Sequence, residues 1–344
     1  MKKALMYLII FIIIIFILPI LFTQRKNIKI NKDIECAVNS ENTGLETNTN
    51  IESNVDVQYE YNKFSTIKLY HKKSEEIEEL PIDEYLYGVV SSEMPADFQM
   101  EALKAQAIVA RTYTIYQILN NNKKHNNADI CDDYSCCQAW ISKEERLQRW
   151  NQDIAEENWN KIVNAVNSTK GKIIVYDGKP IDAFFHSNSG GSTEDVLNVW
   201  GNNSMPYLKS VETSGEDAYT QYSSEVEINK DELLKKLNIK NNEQIDWNEF
   251  IKILEYTNSG RVKTIKIGDS TYSGTEIRSK LGLKSTNFKV EILDDSIKFI
   301  VIGYGHGVGM SQTGADSMAK NNSNFEEIIK HFYTGVEIIE VNNL

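Results

Sequence analysis

The chain is poor in several things at once. Among 344 residues there are four Cys, five Pro and five His, and basic residues (37) fall short of acidic ones (49), for a formal charge of −12. Four thiols cannot staple a chain of this size, which excludes a disulfide scaffold. The scarcity of Pro, with 18 Gly, excludes collagen-like or proline-rich disorder. The acidic balance speaks against nucleic acid as a partner, since such binders carry a basic patch. Long apolar runs are also missing, with one exception at the very start. The mean hydropathy of −0.41 therefore averages two different materials.

The exception is residues 4–22, ALMYLIIFIIIIFILPILF, which carries no charge. It is about as long as a helix needs to cross a hydrocarbon core. Lys2 and Lys3 precede it, Arg25 and Lys26 follow it, and no small-x-small cleavage site comes after it. We read residues 1–26 as a single-pass transmembrane anchor, against a cleaved signal peptide or a buried core helix. The flanking charges tie and do not orient it, but the short N-terminal tail favours placing the bulk of the chain outside. Without Lys2 and Lys3 that outward part carries a charge near −14. Residues 27–54 are polar and lack periodicity, so they read as a flexible tether; Cys36 lies there with no evident role.

The folded part, 55–344, mixes strand and helix patterns without a βαβ rhythm, which predicts an α+β fold. VDVQYEY and STIKLYH alternate as strands. Pro81 opens a helix presenting Ile82, Tyr85, Leu86, Val89 and Val90 on one face. After a break at Met94-Pro95, Asp97 is a candidate N-cap for an Ala-rich helix from about Phe98 to Leu119. A further helix is expected from about Asp153 to Ser168. A hairpin over 172–185 should turn at Asp177-Gly178, and a second over 288–303 at Asp294-Asp295. ELLKKL and FIKIL read as short helices, RVKTIKI as a strand, and Glu326 to Tyr333 as the last helix.

Four stretches can carry chemistry. In SSEMPADF, Pro95 holds Met94 extended, so Glu93 sits at a rigid corner among apolar neighbours. Desolvation there would raise its pKa, as a general acid at neutral pH requires. The competing reading is a solvated helix-end carboxylate. Glu101 is a weaker candidate, because Lys104 one turn on explains it as a surface ion pair. HSNSGGSTED (186–195) offers an imidazole, hydroxyls, amides and two adjacent glycines; its plainer reading is a connecting loop. GYGHGVGMSQTGA (303–315) has Gly at every second position from Gly303 to Gly309, as if something flat lies against one face. Neither a phosphate loop nor a dinucleotide fingerprint fits its spacing. Finally, His125, Cys131, Cys136 and Cys137 can supply a Cys3His tetrahedron for zinc, with a structural role ahead of a catalytic one. A disulfide is the first rival, and a Cys nucleophile using His186 or His306 as base is the second.

Taken together, SSEMPADFQMEALKAQAIVARTYT, FFHSNSGGSTEDV, NVWG and GYGHGVGMSQTGA resemble the SpoIID family, stage II sporulation protein D, over roughly Val55 to the C-terminus. The resemblance implies a membrane-anchored lytic transglycosylase that cuts peptidoglycan glycan strands during engulfment of the forespore. The implied partners are glycan strands lacking stem peptides, a sporulation amidase that strips those peptides, and other engulfment proteins. The implied place is the extracytoplasmic side of the membrane, between mother cell and forespore. Glu93 would be the catalytic acid. His186, Ser187, Asn188, Ser189, His306, Ser311 and Gln312 would bind the sugars, with Trp140 or Trp200 stacking on a ring. Some clostridial members of the family carry zinc held by His and Cys in the stretch matching His125 to Cys137; Cys136 stands where that pattern leads us to expect His. A non-catalytic glycan-binding activator of an amidase, or a Cys-dependent wall peptidase, are the alternative functions.

Overall fold

The computed structural model describes residues 64–120, 125, 127–201, 205–240 and 245–343. The expected anchor, the tether and the VDVQYEY strand lie outside the described residues. Among the described residues no helix is long and apolar enough to cross a membrane.

Two strands open the fold, β1 (Thr66–His71) and β2 (Glu76–Pro81), paired antiparallel. Pro81 ends β2 and caps α1 (Ile82–Glu93), its φ of −54° already suited to a helical turn. The helix stops at Glu93 because Met94 is extended (φ −119°, ψ 141°), as Pro95 demands. The next helix, α2 (Met100–Leu119), begins two residues later than expected. Asp97 does not cap it. Gln99 holds the N-cap position, and its N–H donates to Asp316 Oδ1 at 2.6 Å, so a distant carboxylate does the capping.

Helix α2 is buried on nearly every side. Ala102, Ala105, Ala107 and Ala110 let neighbouring elements approach closely, and all are fully buried. Around it lie the short strand β3 (Ile130–Cys131), α3 (Lys143–Arg149), α4 (Ala155–Asn167) and β4 (Lys172–Tyr176). Arg111 of α2 is fully buried and donates to the carbonyls of Val166, Thr169 and Lys172. Its charge thus meets the negative end of α4, where orphan carbonyls need donors.

The β4 hairpin turns with positive φ at both Asp177 and Gly178, as anticipated. Its second strand, β5 (Lys179–Pro180), is far shorter than expected, because Pro180 has no N–H to extend the ladder. The chain resumes as β6 (Phe185–His186) in a different sheet, then α5 (Val196–Trp200).

Residues 223–302 then form a second lobe with its own core. It comprises β7 (Ser223–Asn229), α6 (Lys230–Lys236), α7 (Trp247–Phe250), β8 (Ile251–Tyr256), β9 (Val262–Ile267), β10 (Ser270–Ser273), α8 (Gly274–Leu281), β11 (Asn287–Ile292) and β12 (Ser296–Ile302). Two three-stranded sheets, ordered β10-β9-β8 and β11-β12-β7, bury Ile265, Ile267, Phe288, Phe299 and Val301 around Leu233 and Ile277. FIKIL is not a helix: Ile251 is buried and Lys252 exposed, the two-residue period of β8. The β11–β12 hairpin and strand β9 stand as expected. The chain returns through β13 (Met310–Ser311), α9 (Gln312–Lys320), α10 (Phe325–Phe332) and β14 (Glu337–Glu340).

Strand β13 runs parallel to β6, pairing Met310 with Phe185 and Ser311 with His186. This places two of the polar motifs side by side. The alternating glycines serve this contact rather than an external flat object. A Cβ on Gly309 would lie 2.0 Å from the Phe184 carbonyl oxygen, and one on Gly307 within 2.9 Å of the Arg261 guanidinium. Gly309→Ala should therefore destabilise by about 3 kcal/mol. Gly178→Ala, with the same positive φ but open space around it, should cost only about 1 kcal/mol. Urea unfolding of the two variants measures the difference, and equal losses would refute the packing argument.

Candidate active site and metal-ligand cluster

Glu93 ends α1 at the wall of a cleft of about 440 Å³. The cleft is formed by the 92–97 corner together with Arg146, Trp150, Asn158 and Gln221. Two donors hold the carboxylate: Ala139 N–H reaches Oε1 at 2.6 Å, and Gln312 Nε2 reaches Oε2 at 3.4 Å. Both favour the ionised form, yet burial outweighs them and raises the pKa from 4.5 to about 7. The group is thus poised to give and take a proton near neutrality. Glu101 makes the surface pair with Lys104 at 2.7 Å and also receives the Phe325 N–H, which accounts for it structurally.

Of the residues expected to bind sugars, Gln312 alone has a hydrogen bond to the Glu93 carboxylate. Ser187 lies beside it through its carbonyl, which accepts from Thr313 N–H at 3.0 Å. Asn188, Ser189 and Ser311 are buried and turn inward. The main chain of Asn188 pairs with Tyr304, and its side chain bonds Gly190 N–H and the Glu216 carbonyl. Ser189 and Ser311 both donate to the carboxylate of Glu216, joined by Thr213, Thr313 and the Gly191 N–H. Burial raises the pKa of Glu216, but these hydrogen bonds outweigh it and hold it down at about 2. This acid is a hub that fastens the 186–193 loop to β13. Sequence reading missed it; its only trace was an excess of hydroxyls in both loops.

His186 and His306 face each other with ring centroids 5.6 Å apart, and Trp200 packs on His306 at 5.1 Å. His186 Nδ1 donates to the Val308 carbonyl, while His306 Nδ1 accepts the Val308 N–H. Burial lowers both pKa values, that of His186 to about 4, so both rings are neutral at pH 7. Trp140 packs on Gly88 of α1 and lines a different cleft, with Tyr87 and Trp159. Arg146 and Trp150 were also missed, although their i, i+4 spacing on a helix is a legible cation–π pair.

The Cys cluster assembles as expected. One ligand atom from each of His125, Cys131, Cys136 and Cys137 lies within 4.8 Å of all the others. His125 Nε2 is 3.5 Å from Cys136 Sγ and 3.4 Å from Cys137 Sγ, and Tyr70 stacks on its ring. The sulfurs of Cys136 and Cys137 are 3.9 Å apart, with no disulfide among the three. A hydrogen bond from Cys137 lowers the Cys131 pKa to about 6. The imidazole beside the thiols is that of His125, whereas His186 and His306 are engaged with each other. Thiolate and imidazole donors at this spacing can hold a metal ion. The cluster is also tied to Glu93, for Ala139 is two residues past Cys137. The intervening Gln138 is buried, donating to Tyr85 and Thr114.

A family profile described as Stage II sporulation protein (SpoIID) matches residues 70–176, which include Glu93 and all four cluster ligands. The chain is 38% identical over 277 residues to the stage II sporulation protein D of Bacillus subtilis (strain 168), covering 80% of this chain and 79% of that protein. The protein of the same name in Bacillus amyloliquefaciens is 36% identical over 280 residues, 81% of this chain and 80% of that one. The chain belongs to the stage II sporulation protein D family. It is a SpoIID-family sporulation protein, matched over about four-fifths of its length. The "Amidase enhancer" of B. subtilis is 28% identical over 306 residues, which is 74% of this chain but 40% of that protein.

The raised Glu93 pKa has a stability consequence. The folded state binds this proton more tightly than the unfolded chain, so stability falls as pH rises from 4.5 to about 7. Glu93→Gln removes that loss. Its stability relative to wild type should rise by about 2 kcal/mol between pH 5 and pH 8, read from urea midpoints. A pH-independent difference would show that Glu93 has an ordinary acidity.

Proposed function

We propose that this SpoIID-family chain is a peptidoglycan lytic transglycosylase, with Glu93 as its single general acid and base. The observation that carries the reading is the Glu93 carboxyl at the wall of a sugar-sized cleft, with a pKa raised to about 7 by burial. The protonated acid donates to the glycosidic oxygen as the bond breaks toward an oxocarbenium-like state. The resulting carboxylate then accepts the proton of the muramic acid C6 hydroxyl, whose oxygen attacks C1 and closes a 1,6-anhydro ring. An intramolecular nucleophile needs no second carboxylate to hold water, consistent with one raised acid in the cleft. Ala139 N–H and Gln312 steady the anion between the two steps.

The apolar run at 4–22 would place this activity on the outer face of the membrane, during engulfment in sporulation. Glycan lacking stem peptides is the substrate of this reading, alongside an amidase that removes the peptides. Gln312 borders the acid, Ser187 is joined to its neighbour Thr313, and these are the sugar-binding residues this reading favours. His186, His306 and Trp200 form an aromatic group in the adjoining loops. Asn188, Ser189 and Ser311 act in it through Glu216, by fixing the loops, rather than by touching sugar.

In the same reading His125, Cys131, Cys136 and Cys137 hold zinc. Bond lengths of about 2.3 Å to sulfur and 2.0–2.1 Å to nitrogen require tetrahedral edges of about 3.5–3.8 Å. Three of the six edges, those among His125, Cys136 and Cys137, lie near these lengths at 3.4, 3.5 and 3.9 Å, and the edges to Cys131 are within 4.8 Å. Four protein ligands leave no open position, so such an ion supplies folding energy and fixes the 136–139 segment. Metal analysis of the purified chain should give one zinc per chain, and Cys131→Ser should lose it with a lowered melting temperature. Stoichiometry near zero, with a disulfide found by mass mapping, rejects this.

Incubated with glycan stripped of stem peptides, the wild type should release anhydro-muramic ends detected by mass spectrometry. Glu93→Gln should lower the rate by at least about a hundredfold. The rate should fall as pH rises through about 7, because the acid form does the protonating. Full activity in Glu93→Gln defeats the assignment. The similarity to an amidase enhancer favours a second reading, a glycan-binding activator, which would retain glycan without making new ends.

A further inference from the structure

The Glu93 cleft contains one group that the proposed chemistry does not use. Among the described residues Arg146 is the one cation lining it, beside the carboxyls of Glu93 and Asp97 and the neutral Trp150, Asn158 and Gln221. It stands on α3 with its guanidinium carbon 4.5 Å from the Trp150 ring centroid, so the aromatic face fixes the plane of the fork. Its neighbour Arg149 is paired with Glu145, and Lys143 with Glu156. Arg146 has no ion pair among the described residues, and its Nε–H is buried with no acceptor. Buried donors in folded proteins nearly always have a partner, and Arg146 lines the cleft beside Glu93.

A planar guanidinium held against an aromatic face matches a carboxylate, which can accept two parallel hydrogen bonds from it. On the substrate class above, one such group exists. When an amidase removes the stem peptide from muramic acid, the lactyl side chain is left as a free carboxylate. While the peptide is attached, the same carbon is a neutral and bulky amide. We propose that Arg146 binds the free lactyl carboxylate, and that it is the residue by which this cleft selects glycan already stripped of peptide. The inference rests on the lytic transglycosylase reading for the identity of the sugar. It also answers a difficulty of charge: an outward part near −14 repels an anionic wall polymer in bulk, so attraction must be local.

The test separates binding from cleavage. The full chain carrying Glu93→Gln is titrated with soluble peptide-free glycan oligosaccharides, either with the lactyl acid free or with it capped as the methylamide. The free acid should bind on the order of tenfold to a hundredfold more tightly, the range of a charge-assisted hydrogen-bonded pair. In Glu93→Gln/Arg146→Gln the two dissociation constants should converge on the methylamide value. Arg146→Lys keeps the charge but loses the fork, and should retain only part of the preference; it serves if the Gln variant does not fold. Equal affinities for the two ligands in Glu93→Gln overturn the proposal, as does a preference that survives Arg146→Gln or is undiminished in Arg146→Lys. Anhydro ends made by the wild type are scored separately. If they are absent while the Arg146-dependent preference holds, the lyase reading falls and Arg146 remains a carboxylate reader in a binding protein.

Discussion

One constraint governs the centre of this molecule: a carboxyl must be taken out of water without being made permanently ionic. Glu93 meets both halves of it. Its two hydrogen bonds, from Ala139 and Gln312, would on their own favour the anion, and burial more than cancels them. A carboxylate held more tightly would be a poor acid, as Glu216 demonstrates in the same structure, where many donors drive the pKa to about 2. Two buried glutamates thus have opposite characters, set by the number of donors each receives. One can exchange a proton near neutrality; the other is a fixed anion that organises loops.

The loops around the site are held from both lobes. Arg261, in the second lobe, is buried and donates to the carbonyls of Ser189 and Ser192 in the first. Glu194 reaches back to Thr257 and Ser259. The lobe at 223–302 therefore does more than decorate the chain. It supplies the guanidinium against which Gly307 packs, and through it the pairing of β6 with β13. Buried polar clamps of this kind are costly when half made; here both terminal nitrogens of Arg261 meet backbone oxygens, while its Nε has no partner.

Much of this was legible in the sequence, for identifiable reasons. Glu93 could be found because Pro95 marks the corner it occupies, and the four ligands of the Cys cluster because they lie within 13 residues of one another. The α2 helix announced itself by its alanines, and both hairpins by their turn residues. What failed was whatever depends on partners far along the chain. Asp97 looked like a cap, but Asp316 does that work. FIKIL looked helical until its strand neighbours were known, since five residues cannot distinguish the two periods. Three of the seven residues expected to touch sugar, Asn188, Ser189 and Ser311, hydrogen-bond Glu216, and a serine pointing at a ligand reads in sequence like one pointing at a buried carboxylate. The alternating glycines were rightly singled out as a flat surface, but the surface faces another part of the same chain.

The hydrogen bond between Glu93 and Gln312 spans 219 positions of sequence. Its partner from Ala139 spans 46. Contacts this distant form late, since the chain must close a long loop before it gains from them. The acidity of Glu93 is therefore a property of the finished fold and not of its local motif. The two donors that hold the carboxylate reach it only when segments this far apart in the chain have come together. In the proposed mechanism the anion left by proton transfer is therefore steadied by two distant segments of the folded chain at once, and losing either segment would leave it with one donor.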